Sequence, residues 1–308
     1  MTEQDVIIAF GATSAILALV GAIEFLFFDF KKRMHDLSEY KMIVIGLIVA
    51  GVIAILARPL VTGAWAEVGS GFALWHLGGI TDWYMWPIAL LVYEFCYWVH
   101  HWMGHKVRFF WCIHAPHHAP ESINILVGIN HSFIESLFYM PIALGFFSGL
   151  FGVDPMMVML LNALDMLWGT LLHVSDNMVK KKYGILERFM QTPSYHRAHH
   201  GKNLEYMDTN YTSITLFWDT VFGTKVELND NNPVELGITS QVDTGDYLDA
   251  HFGQFKKLWA DVKSAPDFKS KVAYCIMPPG WSHTGEHHMV STQKKQARMA
   301  ENMVQSPE

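Results

Sequence analysis

Residues 94–118, EFCYWVHHWMGHKVRFFWCIHAPHH, hold two histidine groups, His101-x3-His105 and His114-x2-His117-His118, nine residues apart. Side chains three and four residues apart share one face of a helix, so each group aims its imidazoles in one direction. A third group, His196-Arg197-Ala198-His199-His200, repeats the second spacing about eighty residues later. Any fold of this chain must bring eight of its 17 histidines together from distant segments if the groups act as one. Imidazole suits iron, zinc, copper and nickel, and eight nitrogens can hold two metal ions with coordination positions left open. A single HxxH is weak evidence, since lone helix histidines are usually solvated or structural. Three groups in one chain point to a metal centre.

The apolar runs set the surroundings of that centre. Hydrophobic residues make up 51% of the 308 and charged residues 17%, a departure from soluble domains that points to a membrane protein. Residues 5–29 are long enough to cross a hydrocarbon core. The leading MTEQD has no positive charge, so the segment is expected to be a retained anchor and not a secretory signal. Lys31-Lys32-Arg33 place its far end on the cytoplasmic side. Residues 41–57 form a second expected span, stopped by Arg58-Pro59, and 60–82, with Trp65 and Trp75, an interfacial segment on the opposite side. A span over about 83–103 then returns the first histidine group to the cytoplasmic face. The apolar runs 131–152 and 155–174, broken at Gly152-Val153-Asp154-Pro155, suit a hairpin. With the N-terminus outside, every Lys and Arg except Arg58 falls on the cytoplasmic side, and so does every histidine of the three groups.

The expected architecture is therefore all-α, an integral-membrane helical bundle with a cytoplasmic, histidine-rich helical cap. It divides into membrane anchor helices over 1–82, a catalytic domain over 83–285 and a polar tail over 286–308. The run His283-x3-His287-His288 mimics a histidine group but lies at the start of the polar, poorly ordered stretch and is expected outside the site. The net charge of −7 and the lack of a basic stripe exclude a nucleic-acid partner. Cys96, Cys112 and Cys275 form no CxxC pair and are expected to be packing residues.

No Glu-x-x-His of the soluble di-iron bundles occurs, nor any His-Glu-x-x-His of zinc proteases. The site is built on imidazole. Zinc fits such ligands, but attack on an unactivated C–H bond needs a redox metal and dioxygen, which favours two iron ions. Electrons must come from a separate donor, because the sequence has no haem, flavin or iron–sulfur motif. A membrane metal-binding or transport protein is the rival from another class. Transporters place ion ligands near the bilayer midplane, however, and these histidines fall at one face. Glu94, Asp165, Asp176 and Asp208 lie near the groups as possible partners of the rings' outer N–H, and Asp165, in an apolar span, needs a partner of its own. His100 points about 100° away from His101 on a helix and suits an outer or packing position.

Several segments together resemble the fatty acid hydroxylase/sterol desaturase superfamily of membrane di-iron oxygenases, in particular its alkylglycerol monooxygenase branch and related bacterial proteins. They are Tyr97-Trp98 with the first group, Trp111 before the second, Thr192-Pro193-Ser194-Tyr195 leading into the third, Asp208-x-Asn210-Tyr211, Trp218 to Thr224, and Pro278-Pro279-Gly280-Trp281. The likeness covers roughly residues 90–285. It implies a metal set of His101, His105, His114, His117, His118, His196, His199 and His200, and adds His173, which occupies the position of a histidine ending the last span. Departures fall at Trp102, at Lys106 where that branch has Glu, and at Asn130-His131-Ser132; His131 is open between a ligand and an outer partner. The implied activity is O2-dependent hydroxylation or desaturation of a membrane lipid, with sterol C-5 desaturase-type activity as the alternative. Apart from that likeness, the apolar runs and the Lys/Arg count give a multi-pass position with the site facing the cytoplasm, and the expected compartment is a bacterial inner membrane.

Overall fold

The computed structural model describes residues 3–29, 37–46, 48, 52–179 and 183–305, and among these every regular element is helical. Two isolated antiparallel bridges, Met190 to Thr215 and Gly201 to Leu236, are the only strand-like pairings there. In chain order the helices are α1 (Glu3–Ile23, prolonged by π-helical turns over Glu24–Asp29), α2 (Leu37–Gly46), α3 (Val52–Ser70), α4 (Trp86–Lys106) and α5 (Arg108–His118). Then come α6 (Glu135–Leu150, largely π-helical), α7 (Pro155–Leu171), α8 (Pro193–His199) and α9 (Phe217–Val221). The C-terminal part holds α10 (Tyr247–Ser264), α11 (Phe268–Ile276) and α12 (Val290–Gln305). Lys31-Lys32-Arg33, Lys180-Lys181-Lys182 and the middle of the second apolar run lie outside the described residues.

Pro59 does not stop the second apolar run. Helix α3 continues through it to Ser70, so the first half of the expected interfacial segment is helix. A proline removes one helix hydrogen bond, and packing outweighs that loss here. Gly145 and Gly149 of α6 lie so close to α3 that a Cβ on either would fall 2.2 Å from the carbonyl oxygen of Thr62 or Ala66. Small residues four apart allow this kind of backbone approach between apolar helices. Arg58 turns inward and its Nη2 lies 3.2 Å from Oδ2 of Asp165 on α7, while the Tyr93 hydroxyl donates to the same oxygen at 3.2 Å. These are the partners that a charge in an apolar run requires.

Asp154 caps α7 by accepting from the backbone N–H of Met156 and Met157, and Pro155 takes the first helical position, so the turn after α6 reverses the chain into a hairpin. The main apolar core forms where α3, α4, α6 and α7 meet, with Tyr93, Leu144, Met157 and Val158 fully buried. One described helix is both long and apolar enough to cross a membrane, over Phe10–Phe27; α6 and α7 are apolar but shorter. The three cysteines are free, with Cys96 and Cys112 buried. The tail, expected to be poorly ordered, contains α12, and Lys294 there donates to the backbone carbonyl of Met207 at 2.7 Å.

Candidate metal centre

Helix α4 presents His101 and His105 one turn apart, and the single extended residue Val107 (φ −116°, ψ 116°) turns the chain directly into α5. His114, His117 and His118 on the last turns of α5 therefore face back toward α4. Helix α8, opened by Pro193, brings His196, His199 and the following His200, and His173 stands in the turn after α7. All nine imidazoles are buried. They form two groups whose ring nitrogens lie within 4.8 Å of one another: His101, His105, His114, His118 and His199 in one, His117, His173, His196 and His200 in the other. The groups adjoin through the stacked rings of His118 and His200, 4.3 Å apart.

The outer nitrogens decide what the inner ones can do. Nδ1 of His101 donates to the Tyr211 carbonyl at 2.8 Å, Nδ1 of His199 to that of Thr209 at 2.7 Å, and Nδ1 of His173 to that of Gly169 at 2.8 Å. Nδ1 of His117 donates to the Val127 carbonyl at 3.1 Å, and Nδ1 of His114 to the Glu135 carboxylate at 2.7 Å. A carbonyl only accepts, so each of these Nδ1 atoms carries the proton and each neutral ring turns a lone pair inward from Nε2. Those inner atoms crowd together. Nε2 of His114 lies 3.1 Å from Nε2 of both His101 and His118, and Nε2 of His173 lies 3.2 Å from Nε2 of both His117 and His200. Lone pairs at that separation repel, and a shared cation turns the repulsion into ligation. Nε2 of His105 and of His199 are buried without any hydrogen-bond partner. The donor set therefore fits a metal ion in each group.

Burial disfavours a charge on His105, His117, His118 and His200, as ligation requires. It pushes His105 down to about 4 against the pull of Asp208. Burial and then the neighbouring imidazoles hold His117, His118 and His200 well below the usual histidine range. Burial alone would raise the Asp208 carboxyl, but His105 and Lys106 outweigh it and leave it below the usual carboxylate range. Lys106, the departure from the related branch, is the ion-pair partner of Asp208, whose other oxygen lies 3.7 Å from Nδ1 of His105.

Two more buried carboxylates act through backbone. Glu94 accepts from the N–H of Ile214 and Thr215 at 2.7 and 2.8 Å, and Asp219 from those of Tyr211 and Thr212 at 2.9 Å. Both pin segment 208–215, the source of the carbonyls that orient His101 and His199. Asp208 and Asn210 within it have φ of 61° and 55°, a left-handed turn of the kind Asp and Asn tolerate.

Of the expected outer partners, Asp208 lies beside His105 and Glu94 supports from further out. Asp165 pairs with Arg58 instead, and Asp176 is an electrostatic neighbour of Arg197. The carboxylate the pattern missed is Glu135. It accepts from His114 and, at 3.0 Å, from Nδ1 of His131, whose ring stacks on His117 at 4.2 Å. The signal was a glutamate four residues after His131 at the start of an apolar run. His131 thus sits around the groups rather than within either, while remaining close enough to His114 and Glu135 to form a third, smaller cluster. His100 is buried with its Nε2 4.0 Å from Glu135. A cavity of about 500 Å3 opens on the first group, its wall including His105, His118, His199 and His200, with Lys106 and Trp111 beside them.

This fold and site define a helical protein with a buried multi-histidine centre. Residues 86–224 match the model of the fatty acid hydroxylase family. Human alkylglycerol monooxygenase is 28% identical over 73% of this chain and 48% of its own length. The ornithine lipid hydroxylase of Rhizobium tropici is 30% identical over 52% of this chain and 49% of its own, and a cholesterol 25-hydroxylase-like protein of Danio rerio 32% identical over 46% and 55%. The chain spans about half the length of the curated relatives it matches. No solved structure matches it.

Proposed function

We propose that this protein is an O2-dependent membrane lipid hydroxylase, a monooxygenase whose centre is two iron ions. The observation that carries this is the double group of buried imidazoles, with Nδ1 protons fixed outward and Nε2 lone pairs converging inward. His101, His105, His114, His118 and His199 would hold one ion, and His117, His173, His196 and His200 the other. Iron there supplies the redox chemistry with dioxygen that C–H hydroxylation needs. The chain's own part is structural: carbonyls of 209, 211, 169 and 127 fix ring orientation, Glu135 and Asp208 balance positive charge, and the surrounding helices keep bulk water out. The 500 Å3 cavity is where a substrate carbon reaches the first group. Reductant comes from a separate donor. The names of the relatives, hydroxylases and monooxygenases, support an alcohol product over an alkene, and support an enzyme over a metal carrier.

We further propose a multi-pass placement in a bacterial inner membrane with the centre on the cytoplasmic face, and the division into anchor helices (1–82), catalytic domain (83–285) and polar tail (286–308). Two measurements test these proposals. Purified protein should carry close to two irons per chain and convert a membrane lipid with one 18O atom from 18O2; activity without metal would refute the centre. A cysteine at Leu74, which is 88% exposed, should react with an impermeant thiol reagent in intact cells and one at Lys202 should not. The reverse pattern would overturn the topology.

A further inference from the structure

Helices α10 and α11 carry an apolar face that nothing among the described residues covers. On α10, Leu248, Phe252, Phe255 and Trp259 recur at helical spacing; Phe255 is partly buried, and the other three are 60%, 38% and 61% exposed. On α11, Phe268, Val272 and Ile276 form a second stripe, 81%, 38% and 58% exposed. Helix α11 packs against α10, and Phe109 at the start of α5, also exposed, joins the patch through Phe255, their rings 6.1 Å apart.

The position of this hairpin says what covers it. Ala250 of α10 packs in one cluster with Met42 and Ile43 of α2, and a Cβ on Gly46 would lie 3.2 Å from the Tyr247 ring. Residues 42–46 open the second apolar run, so α10 begins at the level where that run enters hydrocarbon. Charge agrees. Segment 247–276 has five lysines against three aspartates in a chain of net charge −7. One of those aspartates, Asp261, is paired with Arg108. Lys256, Lys263, Lys269 and Lys271 are exposed beside the apolar stripes. Apolar stripes with aromatic residues, flanked by lysines, fit the boundary between acyl chains and anionic headgroups.

We propose that α10–α11 is an interfacial anchor lying in the plane of the bilayer, its apolar face in the acyl boundary and its lysines on anionic lipid phosphates. Its opposite edge, through Gln254 and Lys257, forms wall of the 500 Å3 cavity that reaches the histidines. The anchor thus sets that cavity at the lipid surface. The proposal rests on the membrane placement given above.

The test uses the full chain with Cys275→Ser, reconstituted in vesicles of phosphatidylcholine with one quarter phosphatidylglycerol. Spin labels go on cysteines placed at Phe252, Trp259 or Val272, and for comparison at Lys256 or Ala260, exposed on the flank of α10 beside its apolar stripe. Retained metal content reports folding, and resistance to alkaline carbonate extraction reports membrane integration separately. The first three labels should be accessible to oxygen, shielded from an aqueous nickel chelate and located about 5–10 Å below the phosphates; the last two should show the opposite. Nickel access at all five in a carbonate-resistant protein would overturn the anchor while leaving the membrane placement intact. Shielding accompanied by spin–spin broadening between labelled chains would mean that a second copy covers the face, and would also overturn it. Extraction by carbonate would instead sink the membrane placement on which the anchor depends.

Discussion

Two stretches of this chain share a histidine spacing of four, His101 with His105 and His283 with His287-His288, and their surroundings could hardly differ more. The first pair sits on α4, 3% and 7% exposed, walled in by α5, α8 and segment 208–215. The second lies in a turn between α11 and α12, with Gly280 before it and Gly285 within it at φ of 87° and 88°. Without a helix the spacing does not put the rings on one side. His283 bonds the Tyr274 hydroxyl at 2.8 Å, and His287 stacks on Trp281. Spacing creates a ligand set only where a helix gives it a face and other elements close over that face.

The largest effect that sharpens this contrast comes from the buried set. Replacing any of His101, His105, His114, His117, His118, His173, His196, His199 or His200 by alanine should abolish product and lower metal content, with the protein still inserted in the membrane. His173 is the severest case for the grouping, because it is the member outside the three sequence groups. If His173→Ala kept both metals, the second group would be wrong as drawn.

Next comes Glu135→Ala, which removes the acceptor shared by His114 and His131. Loss of such an outer partner typically costs about 10–100-fold in metal affinity or activity. His131→Ala, which leaves the His114 bond intact, should cost less. Equal and total metal loss in both would make His131 a ligand.

The three histidine groups were legible because helix periodicity makes spacing a statement about direction. So was the need for a partner at Asp165, since an unpaired charge in an apolar run is costly. Its identity was not. Arg58 lies 107 residues away in sequence, and nothing local to either residue records that α3 crosses α7 there. Arg58-Pro59 read as the end of a helix for the same reason: the local signal is real, and tertiary packing overrode it. Glu135 was hidden because its partner His114 belongs to a different helix, and the carbonyls of Thr209 and Tyr211 because backbone atoms leave no mark in residue type.

Acid should test the burial of the first stretch and its partners. Burial lowers His105 to about 4 and holds His117, His118 and His200 well below the usual value of about 6.5. The unfolded chain then binds more protons than the folded one below about pH 6.5. Stability of the metal-free protein is full above that pH and lost progressively as pH falls toward about 4. Thermal midpoints of metal-free protein should therefore decline as pH is lowered from 7.5 to 4.5. A flat profile would mean that these four rings are not sealed from water.

The smallest expected effect is the most exacting for the contrast. His283→Ala, His287→Ala and His288→Ala should each retain near wild-type metal content and product formation. His288 is the one to watch, because it borders the 500 Å3 cavity whose far wall includes His105 and His118. Its backbone carbonyl accepts from the Gln293 side chain at 2.7 Å, and that contact survives a change of side chain. A shift in KM with metal content unchanged would make His288 a cavity-wall residue that touches substrate. Loss of metal would instead place it in the centre, and the rule that spacing needs a walled helix face would fail at the residue where it is easiest to check.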